Sequence, residues 1–232
     1  MALWRFGNSW PEAVMKVYRA QLADRHVNFD VPPDQMVPEN GWTVDGTDQV
    51  IAGEPPGPPL ADGPFTRARQ GLINYDFSDP RIVEGHFDPN TDFIGRNILL
   101  ELKVLGLHFL SGARIHSVRE ESDGERTIFG FRYDTLEEHV ERGYEWFLLT
   151  KDHRTGEIRF KIEAHWRLGD LPNWWSKVGF KLMGERCRTL WRHHAPERMR
   201  QLAQQPDEKP AAAPGELAHR GDVTPQRTRP TG

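Results

Sequence analysis

An α+β fold, with a curved antiparallel sheet packed on a long C-terminal helix, is what the sequence predicts. Three observations carry it. Residues 157–167 alternate strictly, with Ile158, Phe160, Ile162, Ala164 and Trp166 on one side and charged residues or His165 on the other, the two-residue period of a strand with one wet face. Strand patterns follow one another without helical crossovers, which excludes a βαβ winding. After Pro172 the period lengthens: Trp175, Gly179, Leu182, Met183, Cys187, Leu190, Trp191 and His194 recur at steps of three and four, an apolar helical stripe that must lie on something apolar.

Taken in chain order, residues 1–37 read as a helical arm. Ser9 and Pro11 precede Val14, Val17, Tyr18 and Leu22, start signal and spacing of an amphipathic helix over about 10–24. Residues 38–64 are rich in proline and glycine, and Pro55-Pro56-Gly57-Pro58-Pro59 forbids helix or central strand; an extended surface connector is expected. A single α+β domain should fill 65–203, opening with a short helix near 65–74. Alternation at 100–104 and 127–133, an apolar run at 144–151 and the strand at 157–167 supply its sheet. Asp152 to Gly156 joins the last two as an antiparallel hairpin. From 204 to 232 the only large apolar residues are Leu217 and Val223, too few to offset the entropy of ordering. A disordered tail is expected, and deleting 205–232 should leave folding unchanged.

Composition bounds the function. The 232-residue chain has no apolar run near the roughly 18 residues of a membrane span, and its N-terminus lacks a signal-peptide h-region, so a cytoplasmic location is expected. Cys187 is the single cysteine, which removes internal disulfides and multi-cysteine metal sites. A net charge of −4 argues against a chain-wide nucleic-acid surface. Hydrolase, NTPase and dinucleotide motifs are missing. His139-Val140-Glu141 matches half of a zinc-deaminase signature, but no Pro-Cys-x-x-Cys completes it. The adjacent His193 and His194 point about 100° apart on a helix. No cofactor and no metal are expected.

Chemistry concentrates between Phe129 and Phe147, where Tyr133, Thr135, His139, Glu141, Arg142 and Glu145 surround one hairpin connection. Histidine exchanges protons near neutral pH, a carboxylate can orient it and an arginine can bind an anionic group. The plainer reading, preferred here, is a set of ion pairs and turn hydrogen bonds. His86 and Asp88 read as turn caps, and His165 as a solvated surface residue.

The block from Phe129 to Phe147 resembles the domain-of-unknown-function 1990 family (UPF0548-like), whose pattern F-G-[FY]-x-Y-x-T-L-x-x-H-x-E-R-G-x-E-x-F is met by Phe129, Gly130, Phe131, Tyr133, Thr135, Leu136, His139, Glu141, Arg142, Gly143, Glu145 and Phe147. The similarity extends over about 65–203 and leaves the first sixty residues uncovered. Glu137-Glu138 stands where Pro-Gly is usual, implying a longer or less sharp turn before His139. The resemblance implies a START-like helix-grip fold and no established activity.

Three functions follow as expectations. The leading one is binding of a small, largely apolar molecule between sheet and helix, with Tyr133, Thr135, Arg142, Glu145 and Trp175 as ligand contacts. The second is an enzyme in which His139 moves a proton while Glu141 orients it and Arg142 stabilises negative charge. The third rests on seven basic against two acidic residues between Asn173 and Arg200, a helix face that could meet a membrane or a partner; a solvated or sheet-facing helix is preferred.

Overall fold

The computed structural model describes residues 3–169 and the helix 174–204, the side chains of 174–186 excepted. Its strands are β1 (Leu3–Phe6), β2 (Thr43–Gly53), β3 (Val83–His86), β4 (Asn97–Val104), β5 (Leu107–Ser122), β6 (Arg126–Thr135), β7 (Glu141–Asp152) and β8 (Glu157–Leu168). They form one antiparallel sheet in the order β2-β8-β7-β6-β5-β4-β3, with β1 added along β5. Register shifts between Val50 and Ala52 and between Ile115 and Ser117 bend β2 and β5, and such bulges increase twist and curvature. The β7–β8 hairpin closes through Asp152, whose Oδ1 accepts the Thr155 N–H at 2.7 Å.

The concave face carries the main core. Phe129, Phe131, Phe147, Leu149, Ile158, Phe160 and Ile162 line the sheet, and all are buried. Helix α1 (Glu12–Gln21) lies outside; α2 (Pro64–Ile73) and α3 (Trp174–Gln204) lie inside. Phe65, Ala68 and Leu72 of α2 pack with Trp191, Ala195, Met199 and Ala203 of α3, a four-residue step that keeps one helix face on the sheet. The expected stripe is corrected at Leu190, which is exposed.

The convex face is covered by the N-terminal segment. Met15, Tyr18 and Leu22 pack on Leu99, Leu110 and Leu136. The buried stripe of α1 and the 3-10 turn that follows it is thus 15/18/22, and the expected Val14 and Val17 stand exposed; both spacings contain 18 and 22, so position 15 could not be told from 14 by period alone. Further along, Met36, Trp42 and Tyr144 form a second outer cluster.

The stretch 38–64 does not run as a connector throughout. Thr43 to Gly53 is an edge strand paired with β8 over its length. Its sequence, TVDGTDQVIAG, has the polar character of an edge strand, and the partner β8 supplies the pairing that composition does not show. The proline run follows it, where no strand forms. The helices expected near 10–24, 65–74 and 172–203 are present within a few residues of those limits. The tail 205–232 lies outside the described residues. No helix among those described is long and apolar enough to cross a membrane.

Candidate functional site

Cross-strand register places Tyr133, Glu145, Ala164 and Asp45 in one row across β6, β7, β8 and β2. Their neighbours two residues away, Phe131, Phe147 and Ile162, belong to the concave core, so by strand alternation the row faces inward. Tyr133 donates its hydroxyl hydrogen to Glu145 Oε2 at 2.6 Å. Tyr75, just after α2, lies beside this row: it is buried, its ring centroid is 6.3 Å from that of Phe147, and its φ is 61°, a left-handed conformation costly for a bulky residue.

Burial dominates the electrostatics. Desolvation raises the Glu145 carboxyl to about 7, against the lowering effects of the Tyr133 hydrogen bond and Arg192. Both phenols are raised, chiefly by burial and then by Glu145. Above the row, α3 places Arg188 against Glu141 as an ion pair and 3.3 Å over the Trp166 ring. Burial, with Arg192 next, pulls the Arg188 pKa down to about 10. Arg192 pairs with Asp45, whose Oδ2 also accepts the Trp166 indole N–H at 3.3 Å. The arrangement combines a carboxyl that titrates near neutrality, phenol donors and two guanidinium groups at the margin of an aromatic core. It can bind a polar group or exchange a proton with one.

Tyr133 and Glu145 are thus brought together. Thr135 is drawn into the turn: its hydroxyl lies 2.6 Å from Asn28 Oδ1 and 2.9 Å from the Gly143 carbonyl, and accepts the Gly143 N–H. His139 is buried, and its Nδ1 accepts the Glu141 backbone N–H at 3.0 Å. The same Nδ1 lies 3.1 Å from the Glu141 carbonyl oxygen, and Nε2 has no hydrogen-bond partner among the described residues. Burial, and then Arg188, hold His139 down to about 3. The carboxylate of Glu141 goes to Arg188 rather than to the imidazole. Arg142 alternates with Glu141 and Gly143 along β7 and shares the outer face of Tyr144. The Trp175 side chain lies outside the described residues.

Gly143 explains one position of the motif. Its φ is 145°, and a side chain there would run into the His165 carbonyl. Glu138 corrects the expectation of a slack turn: its φ is 66°, the left-handed value that suits glycine, and its carboxylate pairs with Arg25 at 2.6 Å. The turn is therefore as tight as one containing glycine. His165 is also corrected. It is only partly accessible, stacks on Tyr144 at 4.8 Å between centroids and bonds through Nδ1 with the Met36 carbonyl oxygen at 2.8 Å, because residues 36–42 cover that end of the convex face. Among the basic residues of α3, Arg188 and Arg192 are paired as above; Arg198 donates to the Asp76 carbonyl, and Arg200 to Gln49 and Val50.

Tyr75, Asp45, Trp166, Arg188 and Arg192 join the site beyond the residues singled out from sequence. Arg188 and Arg192 carry a visible signal, two arginines one helical turn apart. Asp45 carries none, because its strand reads as connector.

Comparison with solved structures gives low-level likenesses. A Thalictrum flavum norcoclaurine synthase point mutant, in complex with a transition-state analogue, has a TM-score of 0.42 at 12% identity, covering 69% of this chain and 95% of that one. A hypothetical protein from Helicobacter pylori has a TM-score of 0.40 at 13% identity, with 77% and 98% covered. The major latex-like protein 151 of Panax ginseng has a TM-score of 0.37 at 12% identity, with 66% and 97% covered. None of these values is high enough to transfer a ligand or a reaction. No curated protein matches the sequence. A family model described as a domain of unknown function (DUF1990) matches residues 27–195. That span begins well before residue 65, where the resemblance was expected to start, and takes in the contact of Val27 with Leu136 and all of β2. With most of its length matched, and with the Phe129–Phe147 motif forming the β6–β7 hairpin at the centre of the sheet, the chain belongs to the DUF1990 family.

Proposed function

We propose that this protein binds a small, largely apolar molecule between the concave sheet and α3, with the polar end of the molecule on the Tyr133–Glu145 pair. The single observation that carries the reading is Glu145 itself. It keeps part of its surface accessible, yet is desolvated enough for its carboxyl to rise to about 7. A carboxyl in that condition stands largely out of bulk water, at the margin of the aromatic core, which supports a role in receiving the polar end of a bound molecule. Burying it has a cost, and the phenol of Tyr133 offsets only part of it. Phe131, Phe147 and Tyr133 supply aromatic walls, and a few convergent polar groups in an apolar setting are the ordinary make-up of a small-molecule site.

Native mass spectrometry of the full chain, purified without denaturation, tests this. The expected result is a bound small-molecule mass, or saturable binding of 8-anilinonaphthalene-1-sulfonate that Glu145→Gln changes. The absence of both a bound mass and saturable binding would overturn it.

A second reading, proton transfer on the bound molecule, is favoured by the same carboxyl, since a group titrating near the working pH is suited to general acid–base work. In that reading Glu145 takes the role first expected of His139, whose low basicity, and whose Nδ1 already taken by the Glu141 backbone, suit it poorly to accept a proton.

A further inference from the structure

On the convex face, under the N-terminal arm, strand pairing sets Glu84 directly opposite Glu101. Like charges placed opposite each other on neighbouring strands destabilise a sheet unless a cation lies between them. Lys103 supplies one: its Nζ is 2.6 Å from Glu84 Oε2 and 3.4 Å from Glu101 Oε2. That ammonium leaves the cluster incompletely satisfied. Glu101 is fully buried, and its Oε2 is met only by the lysine at 3.4 Å; His86 Nε2, 4.0 Å from that oxygen, has no hydrogen-bond partner among the described residues. One oxygen from each glutamate and one nitrogen of His86 all lie within 4.8 Å of one another. The other oxygen of Glu101 is fixed by the Trp10 backbone N–H at 3.1 Å and by His108 Nδ1 at 2.8 Å.

We propose that Glu84, His86 and Glu101 form a binding site for a divalent transition-metal ion of the zinc type, with Lys103 swinging out as the metal enters. The donor set is one imidazole nitrogen and two carboxylates, which suits zinc and leaves a position for water. The ion would satisfy the His86 nitrogen and replace the long lysine contact at the Glu101 oxygen. His108 and the Trp10 N–H act as orienting partners behind the Glu101 ligand, the usual support of a metal-binding carboxylate. Glu84 is partly open to solvent, which gives the ion a route in. Because Trp10 belongs to the arm, metal binding also ties the arm to the sheet.

The test is titration of the full chain with zinc chloride by isothermal calorimetry, with the stoichiometry checked by equilibrium dialysis. One zinc per chain is expected, together with a thermal midpoint that rises on adding zinc. His86→Ala should weaken binding at least about tenfold and abolish the zinc-dependent rise. Lys103→Met, which removes the competing cation, should bind zinc at least as tightly as the parent chain. Three results would each overturn the proposal: no binding up to about 1 mM zinc, equal affinity in His86→Ala, or weaker binding in Lys103→Met.

Discussion

The hydroxyl of Tyr133 and the carboxylate of Glu145 are joined at 2.6 Å across β6 and β7, facing α3. The hydrogen bond from the phenol lowers the carboxyl pKa that burial raises. Tyr133→Phe should therefore push the Glu145 carboxyl still further above 7, read by carbon-13 NMR titration of the glutamate carboxyl. An unchanged titration would mean that the hydrogen bond does not form in solution.

The same carboxyl makes a pH prediction. Its folded pKa is raised from 4.5 to about 7, so the folded state holds this proton more tightly than the unfolded state. The associated stability is fully present below about 4.5 and is lost as pH rises through 7. Glu145→Gln, which keeps an acceptor for Tyr133 without the charge, should gain up to roughly 3 kcal/mol at pH 8 and little at pH 4.5. Urea denaturation at the two pH values measures the difference.

His139 acts in the opposite sense. Its folded pKa is depressed from 6.5 to about 3, so the unfolded chain takes up a proton first on acidification. Stability from the neutral ring is complete above 6.5 and is lost as pH falls toward 3. His139→Asn can keep an acceptor for the Glu141 N–H and should flatten the acid limb, sparing roughly 2 kcal/mol of loss at pH 5. An equally steep acid limb in the variant would show that the ring is not buried.

What could be read from the chain, and what could not, follows from where each residue's partners lie. Strand β8 declares itself because one of its faces is apolar throughout, from Ile158 to Ala164. Tyr133 and Glu145 stand out because their strands meet at a hairpin, so a local motif contains both. Strand β2 stays hidden because an edge strand of TVDGTDQVIAG is defined by the hydrogen bonds of β8, more than a hundred residues away. Asp45 is hidden with it. Strand β3 is four residues long and shows no period. The preference for turn and ion-pair roles suits Thr135 and Glu141, whose partners are Gly143, Asn28 and Arg188. Glu145 departs from it because its surroundings come from Tyr75 and α3, elements remote in sequence.

Lys151 and Glu54 form an ion pair at 2.6 Å with both side chains fully enclosed. Glu54 Oε1 also accepts the Phe65 N–H at 2.7 Å at the start of α2. Removing one partner of such a pair strands a buried charge. Lys151→Met should cost about 3–5 kcal/mol, and the double change with Glu54→Gln should cost less than the single one, since Gln can keep the cap on α2. Chemical denaturation of the three chains decides it: additive losses would mean that the pair is not coupled.

The arm offers the last prediction. Met15, Tyr18 and Leu22 are buried on Leu99, Leu110 and Leu136, and each large apolar group so buried is worth roughly 1.5–3 kcal/mol. Arg114 adds a 2.7 Å hydrogen bond to the Leu22 carbonyl. Deleting residues 1–24 should therefore lower the thermal midpoint markedly. A truncated chain can lose stability for other reasons, so a point change sharpens the test. Gly112 lies directly beneath Leu22, and a Cβ there would stand 2.6 Å from Leu22 Cδ2. Gly112→Ala should destabilise the full chain by about 1–3 kcal/mol through overpacking. In the truncated chain, with Leu22 gone, the same change should cost distinctly less. Equal costs in the two backgrounds would show that α1 does not rest on this face of the sheet.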